Sequence, residues 1–289
     1  MPLEPLDQIV LHWLGYESDP DHIYLGFFTD HLEEPGSVGY QDLRKDCYLA
    51  GVPLPSTKEF LNRLQALIEQ GYAGAEVDEE EPVEDVRHLP DGIEPWDVSV
   101  YTTLEGLQQN EPIEEKIEQE EEAGTGEFVR QYLNEVCLRL PFRAVIPEFI
   151  LADAKLLAGL EVVSGENALR LRCELGVATI TIMTFDQSAG QLPDLERTGE
   201  LQAEKFDNFG TVGVTIHEYQ VGVNCARIEA QWLQDEVSVR IALEKEYIFD
   251  DYDEEPKALA IDTAMRRRIL KLVRSCLRTD RPQLRVSTK

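Results

Sequence analysis

The sequence predicts an α+β protein. It begins with a small helical (winged-helix-like) N-terminal domain, continues with an acidic linker and ends with a C-terminal antiparallel β-sheet that is covered by helices. Three observations lead to this prediction. Apolar residues recur at helical spacing up to about residue 75, glutamates are concentrated from 76 to 126, and a two-residue alternation follows. We therefore expect three segments: 1–75, 76–126 and 127–289. The 289 residues, 43% of them hydrophobic, suffice for two cores.

The N-terminal segment carries four helical patterns separated by short breaks. The first three predicted helices cover about 6–14, 22–31 and 40–50. Ser56 and Glu59 then form a capping box, in which each side chain bonds the other's free backbone amide. Apolar residues recur at helical spacing after this box, and Gly71 supplies the stop. The fourth helix is therefore the best-defined element of this segment.

A helix, a short turn and a capped amphipathic helix ending at Gly71 together resemble a winged-helix arrangement over about 40 residues. That resemblance implies either DNA binding or protein docking. The outer face of the capped helix carries Lys58 and Arg63 beside Glu59 and Glu69. Because a DNA-reading helix needs basic or amide groups to reach phosphates and base edges, this neutral face favours protein docking.

Residues 76–126 hold much of the chain's negative charge. Between Glu76 and Glu127, 19 of the 56 acidic residues are accompanied by only two basic ones, in a chain of formal net charge −29. High charge with low hydrophobicity predicts a largely disordered linker. One apolar island interrupts it and supplies three candidate partner-binding residues: Trp96, Tyr101 and Leu104. Two interpretations stay open, since the island either packs on a domain or folds on a partner.

Beyond residue 127, two helical stripes at about 128–140 and 147–157 precede a sheet, and a long polar connection is expected over 186–210. The strongest predicted strand pair alternates apolar with polar positions, its apolar residues being Ala226, Ile228, Ala230 and Trp232, then Val237, Val239, Ile241 and Leu243. One apolar and one polar face predict a sheet covered on one side. In its order of elements this domain resembles the small dimeric chaperones of secretion systems, which implies partner binding and a homodimer.

The C-terminal segment is positively charged, unlike the chain as a whole, because residues 257–289 include ten basic residues and two acidic ones. A long helix is expected there, opened by Pro256 after the acidic run 250–255. Its polar side supplies five more candidate partner-binding residues: Arg266, Arg267, Arg268, Lys271 and Arg274. This face is either solvated, docked on the protein's own acidic segment, or used for an acidic protein partner or nucleic acid. The negative net charge disfavours nucleic acid.

The sequence contains none of the familiar catalytic motifs. GxGxxG, P-loop, HExxH and GxSxG patterns are missing, and the five histidines are dispersed. His217 and Glu218 lie near a strand end, where an exposed polar pair is the ordinary outcome. We therefore expect no catalytic residue, no metal site and no cofactor. Five scattered cysteines are typical of reduced thiols in the cytoplasm, and neither a signal peptide nor a membrane span is predicted.

These observations lead to one preferred hypothesis and two alternatives. We expect a cytoplasmic, non-enzymatic adaptor or assembly chaperone that binds a protein partner, with a homodimer as an open option and no membrane association. The first alternative is a DNA-associated transcriptional regulator that uses the winged-helix-like unit and the arginine-rich helix. The second is an enzyme whose site assembles from residues distant in sequence.

Overall fold

The predicted α+β class is confirmed in the computed structural model, where helices dominate the N-terminal half and an antiparallel sheet lies in the C-terminal half. The chain divides into two units, Met1–Phe128 and Val129–Lys289. The structure describes residues 3–16, 23–77, 81–175, 178–186, 200–209, 212–221, 225–234, 237–246 and 263–277.

The first unit combines helices with a small sheet. Its elements, in chain order, are α1 (Pro5–Trp13), β1 (Gly15–Tyr16), β2 (Ile23–Tyr24), α2 (Leu25–Glu33), α3 (Val38–Ala50), α4 (Thr57–Glu69), β3 (Ala73–Val77), β4 (Glu81–Pro82), a 3-10 turn (Pro95–Asp97), β5 (Val98–Thr102) and the start of α5 (Leu104–Arg139). Strand β5 is central, because it pairs antiparallel with β3 and β2 and parallel with β1.

Two helices of this unit, α3 and α4, begin where the sequence places capping residues. Ser56 Oγ accepts a hydrogen bond from the Glu59 amide at 3.2 Å, and Ser37 Oγ accepts one from the Tyr40 amide at 3.0 Å. These bonds satisfy amides that the first helical turn leaves without a partner. Helix α3 ends at Gly51, whose φ of 72° lies in the left-handed region that glycine adopts without strain.

Residues 81–126 are ordered, so the prediction of a disordered linker is wrong for this part of the chain. Val98 and Val100 on β5 are 0% and 2% exposed, at the centre of the first sheet. Ile113 and Ile117, four residues apart on α5, are buried in the same core. The mean composition of the segment predicts disorder, but a few apolar positions at the right spacing are enough to attach it.

Two side chains attach the glutamate-rich part of α5 to the helices beneath it. Lys116 Nζ donates a hydrogen bond to the Ala50 carbonyl at the end of α3. Gln8 Nε2, on α1, donates to the Gln109 carbonyl at 2.9 Å. This second bond lies one turn before Pro112, which lies inside α5 and has no amide to donate to the preceding turn. The helix is therefore held by specific polar contacts as well as by its isoleucines.

The second unit contains the end of α5 and a seven-stranded antiparallel sheet. Its other elements are α6 (Glu148–Ala152), α7 (Ala154–Ala158), β6 (Glu161–Ser164), β7 (Ala168–Leu175), β8 (Ala178–Asp186), β9 (Glu200–Phe209), β10 (Val212–Val221), β11 (Cys225–Gln234), β12 (Val237–Glu246) and α8 (Thr263–Leu277). The strand order in the sheet is β6-β7-β8-β12-β11-β10-β9.

The predicted strand pair and its helical cover are confirmed. Ile228 on β11 lies opposite Leu243 on β12, so the apolar residues of both strands share one face. Helix α8 packs on these two strands, with Ile269 and Val273 fully buried. The two-residue period of a strand and the 3.6-residue period of a helix both bring their apolar positions to this interface.

Two predictions in this unit need correction. Part of the expected polar connection, residues 200–209, is strand β9, which pairs with β10 at one end of the described sheet. An outer strand buries little surface, so its polar residues show no alternation to detect. The helix expected at 147–157 is interrupted at Asp153, whose carboxylate caps α7. The acidic run 250–255 and Pro256 lie outside the described residues.

Replacing Ile113 with alanine will lower the free energy of unfolding of the first unit by about 2–5 kcal/mol, because a buried side chain is lost from a packed core. The measurement is urea unfolding followed by tryptophan fluorescence in a Trp232→Phe background. That background leaves Trp13 and Trp96, both in the first unit, as reporters.

The matched control is Glu118→Ala, an exposed position on the same helix, where we expect a change within about 0.5 kcal/mol. If Ile113→Ala is as neutral as Glu118→Ala, the acidic segment is not part of the core.

Candidate partner-binding surfaces

The predicted partner-binding residues form one group in each unit. Trp96, Tyr101 and Leu104 belong to the first unit, whereas the five basic residues of α8 belong to the second. Each group contains both side chains that are fixed by contacts within the unit and side chains that face outward. The contacts that each residue makes within its unit therefore determine how much of its side chain is exposed to a partner.

Trp96 is half-exposed, at 50%, and its remaining surface holds the 3-10 turn on α2. Its indole Nε1 donates a hydrogen bond to Asp30 Oδ2 at 2.9 Å. A Cβ at Gly26 would lie 2.4 Å from the Trp96 ring, so only glycine admits this packing. The Tyr24 ring centroid lies 6.5 Å from that of Trp96. The island is therefore packed on the first unit, with part of one aromatic ring left outside.

The other two residues of the island differ in exposure. Tyr101 lies opposite Gly74 in the β3–β5 pair, and its half-buried ring covers that glycine. A ring laid across a neighbouring strand stabilises the pairing, so Tyr101 has a structural role. Leu104, at the start of α5, is 61% exposed. Trp96 and Leu104 thus carry most of the apolar surface that this group leaves outside.

Helix α8 turns an apolar stripe towards the sheet and a basic face away from it. We call the outward residues Arg267, Arg268, Lys271 and Arg274 the basic face; all four are exposed. Among the described residues, Arg267, Arg268 and Lys271 have no ion-pair partner. Arg266 differs from them, because its guanidinium lies at the side of the helix and is bound to the sheet.

Arg266 forms a two-pronged ion pair with Glu218 on β10, with both N–O distances at 2.7 Å. Lys205 Nζ on β9 lies 3.4 Å from the same carboxylate. The Glu218 side chain is only 5% exposed, so the expected exposed pair of His217 and Glu218 is wrong. The hydrogen bonds from Arg266 hold the pKa of Glu218 below its ordinary value of 4.5, against the opposing effect of burial.

A cavity of about 410 Å³ opens beside this ion pair, between α8 and the β9–β10 end of the sheet. We call it the α8 groove. It exists because α8 packs on β11 and β12 and leaves part of the neighbouring strands uncovered. Its polar end is formed by Lys205, Glu218 and Arg266. Its apolar lining residues are Phe206, Ile216, Ile228, Ile269 and Leu270.

Sequence reasoning identified Arg266 but not Glu218, Lys205 or Leu270 as members of one site. The signal for Glu218 lies in β10, where Val214, Ile216 and Glu218 alternate and so share one face. A carboxylate on the apolar face of a strand requires a cationic partner, because burying an unpaired charge is costly. The strand pattern therefore points to a buried ion pair, although it does not identify the partner.

The opposite face of the sheet also carries buried charged side chains, and these form ion pairs with one another. Arg227 forms an ion pair with Glu229 on the same strand and another with Glu244 on β12 at 3.2 Å. Arg240 lies 3.9 Å from Glu229. These arginines are 8% and 9% exposed, so their charges are engaged within the sheet. This face differs from the basic face of α8, whose cations point outward.

Arg63 on α4 is surrounded by carboxylates. Its guanidinium lies 2.8 Å from Glu4 and 2.9 Å from Asp7, both at the start of α1, and 3.8 Å from Glu59. These partners raise the pKa of Arg63, the hydrogen bond that it donates to Asp7 being the largest cause. The outer face of α4 therefore offers little positive charge to a phosphate.

The described residues show no group of three or more His, Cys, Asp or Glu side chains placed to hold a metal ion. Burial raises the pKa of the Cys47 and Cys276 thiols to about 12, and those of Cys137 and Cys173 to about 11. These thiols are protonated at neutral pH, whereas a cysteine nucleophile reacts as the thiolate. No helix in the described ranges is both long and apolar enough to cross a bilayer.

No protein-family model matches this chain. No curated protein and no solved structure shows significant similarity to it. The fold and its surfaces define an α+β protein with a basic helical face and an adjacent apolar groove.

Replacing Glu218 with glutamine will remove part of the acid sensitivity of the second unit. Because the folded-state pKa of Glu218 lies below 4.5, its ion pair contributes fully above about pH 5. That contribution is lost as the pH falls through the lowered folded-state pKa. The stability difference between wild type and Glu218→Gln should therefore be largest near neutral pH and shrink below pH 4.5. Thermal melts between about pH 3 and pH 7 measure it.

Arg266→Gln should reproduce this loss of acid dependence, since it removes the main cause of the lowered pKa. Arg267→Gln, at the exposed neighbouring position, should leave the wild-type profile unchanged. A constant difference between wild type and Glu218→Gln over the whole pH range would contradict the ion pair.

Proposed function

We propose that this protein is a non-enzymatic adaptor or assembly chaperone that binds an acidic segment of a protein partner through the basic face of α8. The observation that carries the proposal is the exposure of Arg267, Arg268 and Lys271 without a described ion-pair partner. Charge attraction is screened over about 8 Å in physiological salt, so the contact has to be direct. Arginine is also enriched at protein interfaces.

The surroundings of other arginines support this proposal. Arg63, Arg227 and Arg266 are each bound by carboxylates of the described chain. With 56 acidic and 27 basic residues in the sequence, internal partners for cations are abundant. The outward cations of α8 therefore differ from those used to stabilise the fold. Complementary charge across an interface increases association rates and discriminates between partners.

Trp96 and Leu104 are proposed as a second contact, on the first unit, with Tyr101 supporting the strand beneath. A partly exposed tryptophan is the residue type that most often dominates binding energy at an interface. The proposal places the protein in the cytoplasm, a location to which buried free thiols such as Cys47 and Cys276 are suited. A homodimer remains a prediction that light scattering would test.

The carboxylates around Arg63 weigh against the DNA-associated alternative. Affinity for DNA comes from cations that neutralise phosphates and so release the counterions condensed on the DNA. On α4 that charge is already compensated by Glu4, Asp7 and Glu59. The protonated thiols weigh against cysteine-based catalysis in the same way. Protein binding is therefore the function that the surfaces support best.

The test is affinity purification of the tagged protein from its native lysate, with and without nuclease, followed by mass spectrometry. A protein partner should be retained after nuclease treatment. The triple variant Arg267→Glu, Arg268→Glu, Lys271→Glu should lose it, because three favourable contacts become repulsive. Circular dichroism and thermal melting verify that this variant folds.

The matched control reverses three exposed basic residues elsewhere in the second unit: Arg139, Arg143 and Lys155. It changes the net charge by the same amount and should retain the partner. Equal losses in both triple variants would show a net-charge effect and refute the basic face as the binding surface. Co-purified nucleic acid, with partners lost on digestion, would support the DNA-associated alternative.

A further inference from the structure

We infer that the α8 groove binds a bulky apolar side chain of the partner's acidic segment, so that the partner is anchored as well as attracted. The inference rests on the proposed function and assigns a chemical class to the partner. At about 410 Å³ the groove is far larger than the roughly 30 Å³ of one water and lies near the lower end of ligand-pocket volumes, about 300–1,000 Å³. One large side chain fits this space.

The walls of the groove select an apolar occupant. Ile216, Ile228 and Ile269 are buried and form its floor, whereas Leu270 is half-buried and forms an accessible wall. A phosphate or a free carboxylate entering this space would lose its hydration against aliphatic side chains. An apolar side chain gains by the same transfer.

The polar end of the groove carries excess positive charge. Arg266 and Lys205 both contact the Glu218 carboxylate, so two cations accompany one anion. The Lys205 side chain is 55% exposed and therefore reachable from solution. Carboxylates on either side of the anchor would meet this charge, which is the complementarity that favours an acidic partner over a basic one.

The helical spacing of α8 places further arginines beside the groove. Arg267 and Arg274 lie three and four residues from Leu270, so they occupy the same side of the helix. Arg268 lies two residues from Leu270 and points to another side. The occupant is therefore a segment with one large apolar residue flanked by aspartate or glutamate. Arg267 and Arg268, adjacent in sequence and both exposed, form a matched pair for testing it.

The experiment measures fluorescence anisotropy of a short fluorescein-labelled peptide that carries one phenylalanine among glutamates, titrated with the full-length protein. Leu270→Gln and Arg267→Glu should each weaken binding by about tenfold, the effect of losing one good contact. Arg268→Glu should weaken binding clearly less than Arg267→Glu, because Arg268 belongs to the basic face but lies on another side of the helix from Leu270. Leu277→Gln should bind as wild type, because it alters a half-buried leucine of α8 that does not line the groove.

A second variant and altered peptides keep the test independent of folding defects. Lys205→Gln removes a positive charge from the opposite, solvent-exposed wall of the groove without adding a carboxylate beside Glu218, and should also weaken binding. With wild-type protein, a peptide in which alanine replaces phenylalanine should bind about tenfold more weakly, as should one in which glutamine replaces glutamate. Full affinity of the alanine peptide would overturn the anchor.

The outcomes separate this inference from the proposed function. Equal losses in Arg267→Glu and Arg268→Glu, with none in Leu270→Gln, would mean that the basic face binds by charge alone, so the groove assignment fails and the proposed function stands. No measurable binding of the phenylalanine peptide to wild type also overturns the inference. Tighter binding of a labelled DNA duplex, with the same dependence on Arg267, would overturn both.

Discussion

Burial of the apolar face of the C-terminal sheet beneath α8 is the interaction on which the candidate surfaces depend. Ile241 on β12 and Ile269 on α8 are fully buried at this interface. Burying one such side chain stabilises the fold by about 1.5–3 kcal/mol, whereas an exposed ion pair contributes at most about 1 kcal/mol. The apolar stripe therefore sets the rotation of α8 about its axis. That rotation turns Arg267 and Arg268 outward and brings Arg266 to Glu218.

In the first unit, too, the burial of apolar residues determines the structure, although the surrounding sequence is more acidic. Val98 and Val100 enter the core from β5, and Ile113 and Ile117 enter it from α5, although glutamates surround both pairs in sequence. A glutamate on the outward side of a helix costs little as long as it stays hydrated. A high density of acidic residues is therefore compatible with a folded segment when its few apolar residues share one face.

The charged side chains around α8 are of two kinds: some are paired within the fold, and others are exposed. Glu218 is almost fully enclosed, so it requires cationic partners, and removing Arg266 would leave only Lys205, 3.4 Å away, to compensate its charge. Arg267, the next residue, has no described partner and is exposed. A structural cation and an exposed cation are thus adjacent residues on α8. The α8 groove lies at the boundary between the two.

The sequence by itself determined the elements whose signals are local: the capped helix α4, the alternating β11–β12 pair and the apolar stripe of α8. Their residues interact with neighbours a few positions away, so the local spacing of apolar residues is enough to predict each of these elements. Only the tertiary structure decided that Val98–Thr102 is a central strand, that Glu200–Phe209 is an outer one and that Glu218 is buried. The reason is physical: strand β5 forms by pairing with β1, β2 and β3, and Glu218 becomes part of a site through Arg266, 48 residues further along the chain.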